Sequence, residues 1–412
     1  MSVIQEKDLP GWVRLGLVPF IQLILAFTVA GLLIWMMGED PVAATRLYIE
    51  KVLGTAKGLS QTLFYATTLT FTGLSVAMAF QAGMFNIGSE GQGMVGGIGI
   101  AVVALWILGP MLPDDLARSS FWFGQILLFA GAALFGMLWA LIPALLQAYR
   151  GSHLVITTIM FNFIAGALLL FLLKQGGWLA DPASGGDPKS LRFEESLWLH
   201  NLGDYFKGVT AELKSLGERP SKFQNAMKAS KVNTSFLVAM GLCIAFWLFI
   251  WRTKWGYAIR AIGANPDAAH YAGINVRQTM VIAICLSGAL AGMAMTNIIL
   301  GSPNASDHVL RDNGLNGLGF IGIAVALMGR NHPIGIVLAA LLFGSLYAWG
   351  ESIQLQGRMF YKLDIDREFI TAIQGLVVLF TGALAYMVVR MVLVVANLIW
   401  GRRAADINQG AA

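Results

Sequence analysis

The stretch Phe85-Asn86-Ile87-Gly88-Ser89-Glu90-Gly91-Gln92 is polar and punctuated by glycine. Yet it lies between two strongly apolar segments, residues 59–80 and 93–112. Hydropathy puts Asn86, Glu90 and Gln92 within a bilayer or at its edge. An ionisable group there is costly and marks a functional site by default. Non-helical backbone at that depth must be covered by protein or face a water-filled cavity. A helix broken beside a cavity is a common way to build a solute path.

Of the 412 residues, 57% are hydrophobic and 12% charged, against about 25% charged in soluble domains. Apolar stretches of about 20 residues, long enough to cross a bilayer as helices, recur throughout. The chain is therefore expected to be an all-α polytopic membrane protein, with residues 1–412 forming a single transmembrane domain. The net charge of +5 does not indicate a nucleic-acid partner, because the basic residues fall in short inter-span loops. Cys243 and Cys285 both sit in apolar spans and read as small buried hydrophobes. Lys7 and Arg14 precede an apolar run from Leu17 to Met37. That run exceeds the roughly 7–15 residues of a signal-peptide core and ends without a small-x-small site, so it reads as an uncleaved first span.

Ten membrane segments are expected, near 17–37, 59–80, 93–112, 122–148, 154–173, 234–252, 278–300, 317–329, 333–350 and 369–389. With the N-terminus in the cytoplasm, the inner loops hold eleven basic residues against five acidic ones. The short outer loops hold eight against eleven. Charge bias then puts both termini in the cytoplasm.

Some segments are interrupted. The one at 317–329 is short, and Gly329-Arg330-Asn331-His332-Pro333 separates it from the next, with Pro333 suited to a first helical turn. The Gly- and Asn-rich stretch 301–319 precedes it, five segments after the break at 81–92. A five-segment shift inverts topology, which is the layout of an inverted repeat. The sequence similarity between the halves is weak: Thr72-Gly73-Leu74 against Ser287-Gly288-Ala289 is near chance. The loop 174–231 is the one sizeable hydrophilic piece, an extracytoplasmic excursion with Gly/Pro-rich and charged parts. It either lies on the membrane or the protein surface, or contacts an extracytoplasmic partner.

The cytoplasmic loop 253–277 contains Asn265-Pro266-Asp267-Ala268-Ala269-His270-Tyr271-Ala272-Gly273. Asn265 suits an N-cap, Pro266 the first helical position, and Asp267 the positive end of the dipole. Gly273 suits the left-handed residue after the helix. A two-turn helix is expected from Pro266 to about Ala272, exposed for docking on a soluble partner.

This loop resembles the coupling helix of ABC-importer permeases, a short Glu-Ala-Ala-type helix followed by glycine that inserts into the ATPase subunit. Asp267-Ala268-Ala269 and Gly273 match, with Asp in place of Glu. The run from Ala79 to Gln92, and Gly322-Ile323-Ala324-Val325-Ala326-Leu327-Met328-Gly329-Arg330-Asn331, are similar to one branch: nucleoside and simple-sugar permeases, in the superfamily of branched-chain amino-acid and ribose permeases. The resemblance covers about 59–173 and 234–390 and leaves out 174–231, which looks like an insertion. It implies the fold of a type II ABC-importer permease in a bacterial inner membrane. It implies three partners: an ABC ATPase that hydrolyses the ATP, a second, homologous but non-identical permease making a heterodimer, and an extracytoplasmic solute-binding lipoprotein. No cofactor is expected on this chain. Independently, no Gly-Lys dipeptide occurs, so the chain has no phosphate-binding loop of the G-x-x-x-x-G-K-[ST] type.

Glu90 has two readings: a residue near the pathway that locks the broken helix through backbone N–H groups, or a carboxylate capping its own span. Asn86 and Gln92 fall in the same break, where an amide bonds freed backbone groups. Phe85 and Phe161 are candidates for stacking on a nucleobase or sugar ring, against ordinary core or lipid packing. Asn162, Asn297 and Asn304 either face the path or bond between helices. The histidines show no metal-ligand spacing and no catalytic constellation is discernible, so no enzyme activity is expected. The rival function is an ion-coupled secondary transporter of a small polar solute, with Glu90 as its proton site.

Overall fold

A computed structural model of the protein describes residues 18–108, 121–215, 230–302, 308–312 and 314–353, with isolated positions between 219 and 228 and between 371 and 391. Each expected span within those residues is helical. Seven helices among them are long and apolar enough to cross a membrane. They are α3 (Ala56–Gln81), α4 (Ser89–Val102, continuing as a wider π-type turn to Leu108), α5 (Phe121–Arg150), α6 (Leu154–Leu173), α8 (Thr234–Arg252), α11 (Val276–Leu300) and α13 (Pro333–Ser352). Two shorter apolar elements match the first expected span and the short one: α1 (Val18–Met36) and α12 (Leu318–Met328). The tenth expected span, 369–389, lies outside the described residues but for isolated positions. Strand pairing among the described residues is confined to isolated bridges.

The chain divides into two compact units, residues 50–348 and the flanking residues 1–49 with 349–412. In the flanking unit, Asp40 caps α2 (Pro41–Leu47), its carboxylate accepting the Val42 N–H at 2.8 Å. There the Tyr48 ring meets Phe27 at 6.3 Å and Trp349 edge-on at 5.7 Å.

In the larger unit α3 and α11 form the centre. Each is 78% buried over its most apolar stretch, whereas α6 and α8 are only 28% buried and turn broad apolar faces outward. Burying α3 requires its hydroxyls to be satisfied. Thr62, Thr67 and Thr70 donate to the carbonyls of Gly58, Leu63 and Ala66, one turn back, at 2.7–3.0 Å.

Close helix packing rests on small residues. Gly96 of α4, Gly136 of α5 and Gly288 and Gly292 of α11 meet backbone to backbone, and a Cβ on Gly292 would run into the carbonyl oxygen of Ala132. Lipid is as apolar as these helices, so it supplies no hydrophobic drive between them. Close van der Waals contact does instead, and only residues without side chains permit it.

Connections gather on two faces. The first carries residues 82–88, 253–277 and 329–332: Gly83 abuts Gly263, and Gln81 donates to the Asn331 carbonyl at 3.2 Å. The second carries the excursion after α6, which folds back on the chain after α11. Ser190, Phe193 and Leu199 donate N–H groups to the carbonyls of Leu310, His308 and Leu300. Within that excursion lies α7 (Leu202–Ser215).

One order of elements occurs twice, in opposite directions. A long central helix (α3, α11) ends at one face, an irregular segment follows, and a further helix (α4, α12) starts within the bundle. Each central helix is then clasped by a later one, α11 by α5 at Gly136 and α3 by α13 at Gly344.

Replacing Gly292 by alanine is expected to destabilise the protein by about 1–3 kcal/mol, because the added methyl meets backbone that cannot rotate away. Gly241→Ala on α8, where a Cβ meets nothing within 4 Å, should leave stability unchanged or slightly raised. Thermal unfolding in detergent compares the two, and equal effects would contradict the packing account.

Candidate functional site

The break after α3 begins with a Schellman ending. Gly83 sits at φ +70°, where a Cβ would be strained, and the N–H groups of Met84 and Gly83 return to the carbonyls of Ala79 and Phe80. The chain then runs without helical bonds to Gly88 and re-enters helix at Ser89.

Its freed polar groups are met by side chains. Asn86 is fully buried. Its Oδ1 accepts the Gly88 N–H at 2.8 Å, and its Nδ2 donates to Ser287 Oγ at 2.8 Å and to Gln92 Oε1 at 3.1 Å. Gln92 Nε2 donates back to Asn86 Oδ1 at 3.3 Å. From α6, Asn162 receives the Gly91 N–H and donates to the Ile87 carbonyl, both at 2.9 Å. Thr158 Oγ1 accepts the Ile87 N–H at 3.4 Å. Ser75 Oγ lies 3.1 Å from the hydroxyls of both Ser89 and Ser287. The network joins α3, α4, α6 and α11.

Glu90 connects this break to the second one. It is 4% exposed. Its Oε1 and Oε2 accept the backbone N–H groups of Gly317 and Gly319 at 3.0 and 2.9 Å. Those groups belong to the N-terminus of α12, whose own N-cap, Gly317, has no side chain to do the work. Glu90 also lies in the first turn of α4. Two helix N-termini, each with the equivalent of about half a positive charge, therefore converge on one carboxylate.

The other expected site residues lie apart. Phe85 packs on Phe80 of the preceding helix at 5.1 Å. Phe161 meets Trp139 edge-on at 5.3 Å, and the Trp139 indole donates to the Phe161 carbonyl. Asn297 sits in a separate polar knot near the second face. It donates to the Phe64 carbonyl and Thr68 Oγ1, and accepts from Asn233 and Ser235. Asn304 lies outside the described residues. Sequence reading does not single out Ser75, Ser89, Thr158 or Ser287, because small hydroxyls are unremarkable in apolar helices. Gly317 and Gly319 are signalled only by the glycine content of 301–319.

On the first face, the loop 253–277 holds two helices, where one was expected. Thr253 caps α9 (Lys254–Ala264) through the Gly256 N–H, and Gly256, Ile259 and Ile262 bury one side of it at helical spacing. The shorter α10 (Pro266–Tyr271) follows. Asn265 Oδ1 accepts the N–H groups of Asp267 and Ala268, and Pro266 opens the first turn. Gly273, at φ +80°, closes the helix with a second Schellman pair, to His270 and Ala269. Ala269 is buried, while Asp267, Ala268 and Gly273 are exposed, and Tyr271 is 91% exposed. Beside α10 runs a polar groove of about 900 Å³, lined by Gln147, Tyr149, Asp267, His270, Asn275 and Arg277 among others. Gly263, at the end of α9, touches Gln81–Gly83 backbone to backbone. The loop and the break after α3 are therefore in direct backbone contact.

Glu90→Ala is expected to lower stability by about 2–4 kcal/mol, since it orphans one buried and one part-buried N–H group that shared a carboxyl acceptor. Glu90→Gln keeps one acceptor oxygen and should lose roughly half as much. Chemical unfolding in detergent reads both, and an alanine variant as stable as the parent would refute the bridge.

Residues 58–398 match the family described as "Branched-chain amino acid transport system / permease component". The chain is 30% identical to the nucleoside ABC transporter permease protein NupB of Lactococcus lactis subsp. cremoris, over 81% of this chain and 83% of that protein. It is 29% identical to the glucose ABC transporter permease protein TsgB13 of Haloferax volcanii, over 91% and 89%. It is 28% identical to the guanosine ABC transporter permease protein NupP of Bacillus subtilis, over 89% and 93%. Weaker similarity extends to a second permease in each of these organisms, NupC at 27%, NupQ at 26% and the putative glucose permease TsgC13 at 24%. No solved structure matches the chain. With its multi-pass helical architecture, its two bridged breaks and a match over most of its length, the chain belongs to the family of branched-chain amino-acid transport system permease components.

Proposed function

We propose that this chain is one permease subunit of an ATP-driven ABC importer that carries nucleosides or related simple sugars. The observation that carries this reading is α10: a capped, outward-facing helix tipped by Tyr271, flanked by a polar groove and joined through Gly263 to the first helix break. Such an element suits docking into a cleft on a soluble ATPase. The relatives' printed names support the solute class.

In this reading the face bearing α9 and α10 is cytoplasmic, as are both termini, in a bacterial inner membrane. The basic residues on that side agree with it. The partner ATPase binds and hydrolyses ATP, and the chain itself performs no chemistry on its solute. Closure of the ATPases displaces α10. Because α9 is short and held at its end by backbone contact, the displacement reaches Gln81–Gly83 and then the break. The amide–hydroxyl network and Glu90 make the break rigid, so α4 and α12 move together. A second, non-identical permease completes the path, a reading supported by the paired relatives NupB with NupC and NupP with NupQ. An extracytoplasmic lipoprotein delivers solute to the opposite face, and loop 174–231 is an insertion on that face.

The rival proton-coupled reading assigns Glu90 a different task. Both its oxygens are committed to backbone N–H groups, which suits a structural bridge better than a shuttling proton.

Gly273→Arg is expected to reduce ATP-driven nucleoside uptake by at least about tenfold while insertion persists. Strain at a left-handed position and a bulky charge both act on the docking helix. Reconstitution with the ATPase and second permease measures it, and unimpaired uptake would dismiss the assignment of α10. Glu90→Gln, in the same assay, should show no dependence of residual uptake on a proton gradient. Gradient-driven flux in the parent that disappears in this variant would favour the secondary transporter.

A further inference from the structure

The segment that leads into α12 goes deep into the bundle. On the second face the Leu310 N–H donates to Ser190 Oγ at 2.9 Å. A few residues later Gly314 and Leu315 are buried beside Met94 and Gly93 of α4. From there α12 takes 11 residues, about 16 Å, to reach the first face. In the other direction Leu108 lies 18 positions beyond Glu90, about 27 Å along α4. Residues 314–317 therefore lie between the two faces, beside the first turns of α4.

Irregular backbone at that depth survives only where protein covers it or water reaches it. Gly314 and Leu315 are covered. Asn316 is exposed, with φ +54°, a conformation that asparagine tolerates better than other side chains. Beside it opens a recess of about 230 Å³, whose walls include Phe64, Ile298, Ser302, Arg311 and Asn316. Arg311 donates to Asp187 at 3.3 Å, so the recess is not built for an anion. Glu90 already occupies the N–H groups of Gly317 and Gly319, next along the chain. Among the described residues, Asn316 is an exposed amide side chain on the wall of this recess.

We propose that this recess is a solute subsite, in which Asn316 hydrogen-bonds a neutral, hydroxyl-rich solute and the Phe64 ring packs on its cyclic part. This rests on the importer reading above and names where that importer touches its cargo. Complete ligand pockets run to about 300–1,000 Å³. A recess below that size, open on one side, is half a site that the facing permease completes.

The test uses the full complex with its ATPase and second permease in proteoliposomes. Asn316→Cys, with Cys243 and Cys285 replaced by alanine, should be labelled by a membrane-impermeant maleimide, and uridine should slow that labelling. Asn316→Ala should raise the KM for uridine about three- to tenfold, the worth of one or two neutral hydrogen bonds. Asn316→Gln should recover part of the loss, which a folding defect would not predict. In a complex that transports, an unlabelled cysteine, labelling indifferent to uridine, or an unchanged KM for the alanine variant overturns the subsite alone. If the unsubstituted complex shows no ATP-driven uridine uptake, the importer reading fails instead.

Discussion

Two helices begin inside the bundle of this protein, and most of their first backbone N–H groups belong to buried residues. An unsatisfied N–H group in hydrocarbon costs several kcal/mol. The larger unit is arranged around meeting that demand. Glu90 serves α12 from α4 through two bonds of about 3 Å, while Asn86, Thr158 and Asn162 serve the break itself. The burial of Glu90 is tolerable for the same reason that the helix starts are. Each compensates the other, because the carboxylate sits where two helix dipoles point.

That arrangement constrains motion. A break tied by one weak contact would flex locally. This one is tied from four helices, and Glu90 links α4 to the start of α12. The backbone contact of Gly263 with Gln81–Gly83 extends the coupling to the face that carries α10. Glycine is needed at that contact for reasons of space, and at Gly83 and Gly273 for reasons of conformation. These are different demands, and only the second leaves a recognisable trace at a helix end.

Polar groups at depth thus fall into two kinds. Asn86, Glu90, Asn162 and Asn297 are consumed by internal bonds and hold the framework together. Asn316 stands at similar depth but faces an opening. Burial separates the two kinds, and residue type does not. Intramembrane asparagine is equally compatible with gluing helices and with lining a path.

Hydropathy and end signals sufficed for much of the protein. The long spans are legible because about 20 apolar residues have few other fates. The ends of α10 are legible because Asn265, Pro266 and Gly273 act on backbone groups within a few residues of themselves. The anomaly at Phe85–Gln92 was likewise visible as a break, and its loop 253–277 counterpart as an exposed helix, although α9 was not anticipated. What the sequence could not decide was the partner of each buried polar group. Glu90 meets Gly317 and Gly319 more than 200 positions away, and Asn86 meets Ser287 at a separation of 201. Such pairs depend on which helices become neighbours. That is set by glycine contacts between distant segments, which leave no periodic signal in either segment alone. Tertiary structure alone therefore supplied the partners of Glu90, the N–H groups at the start of a second helix, and brought Asn316 to the edge of a cavity.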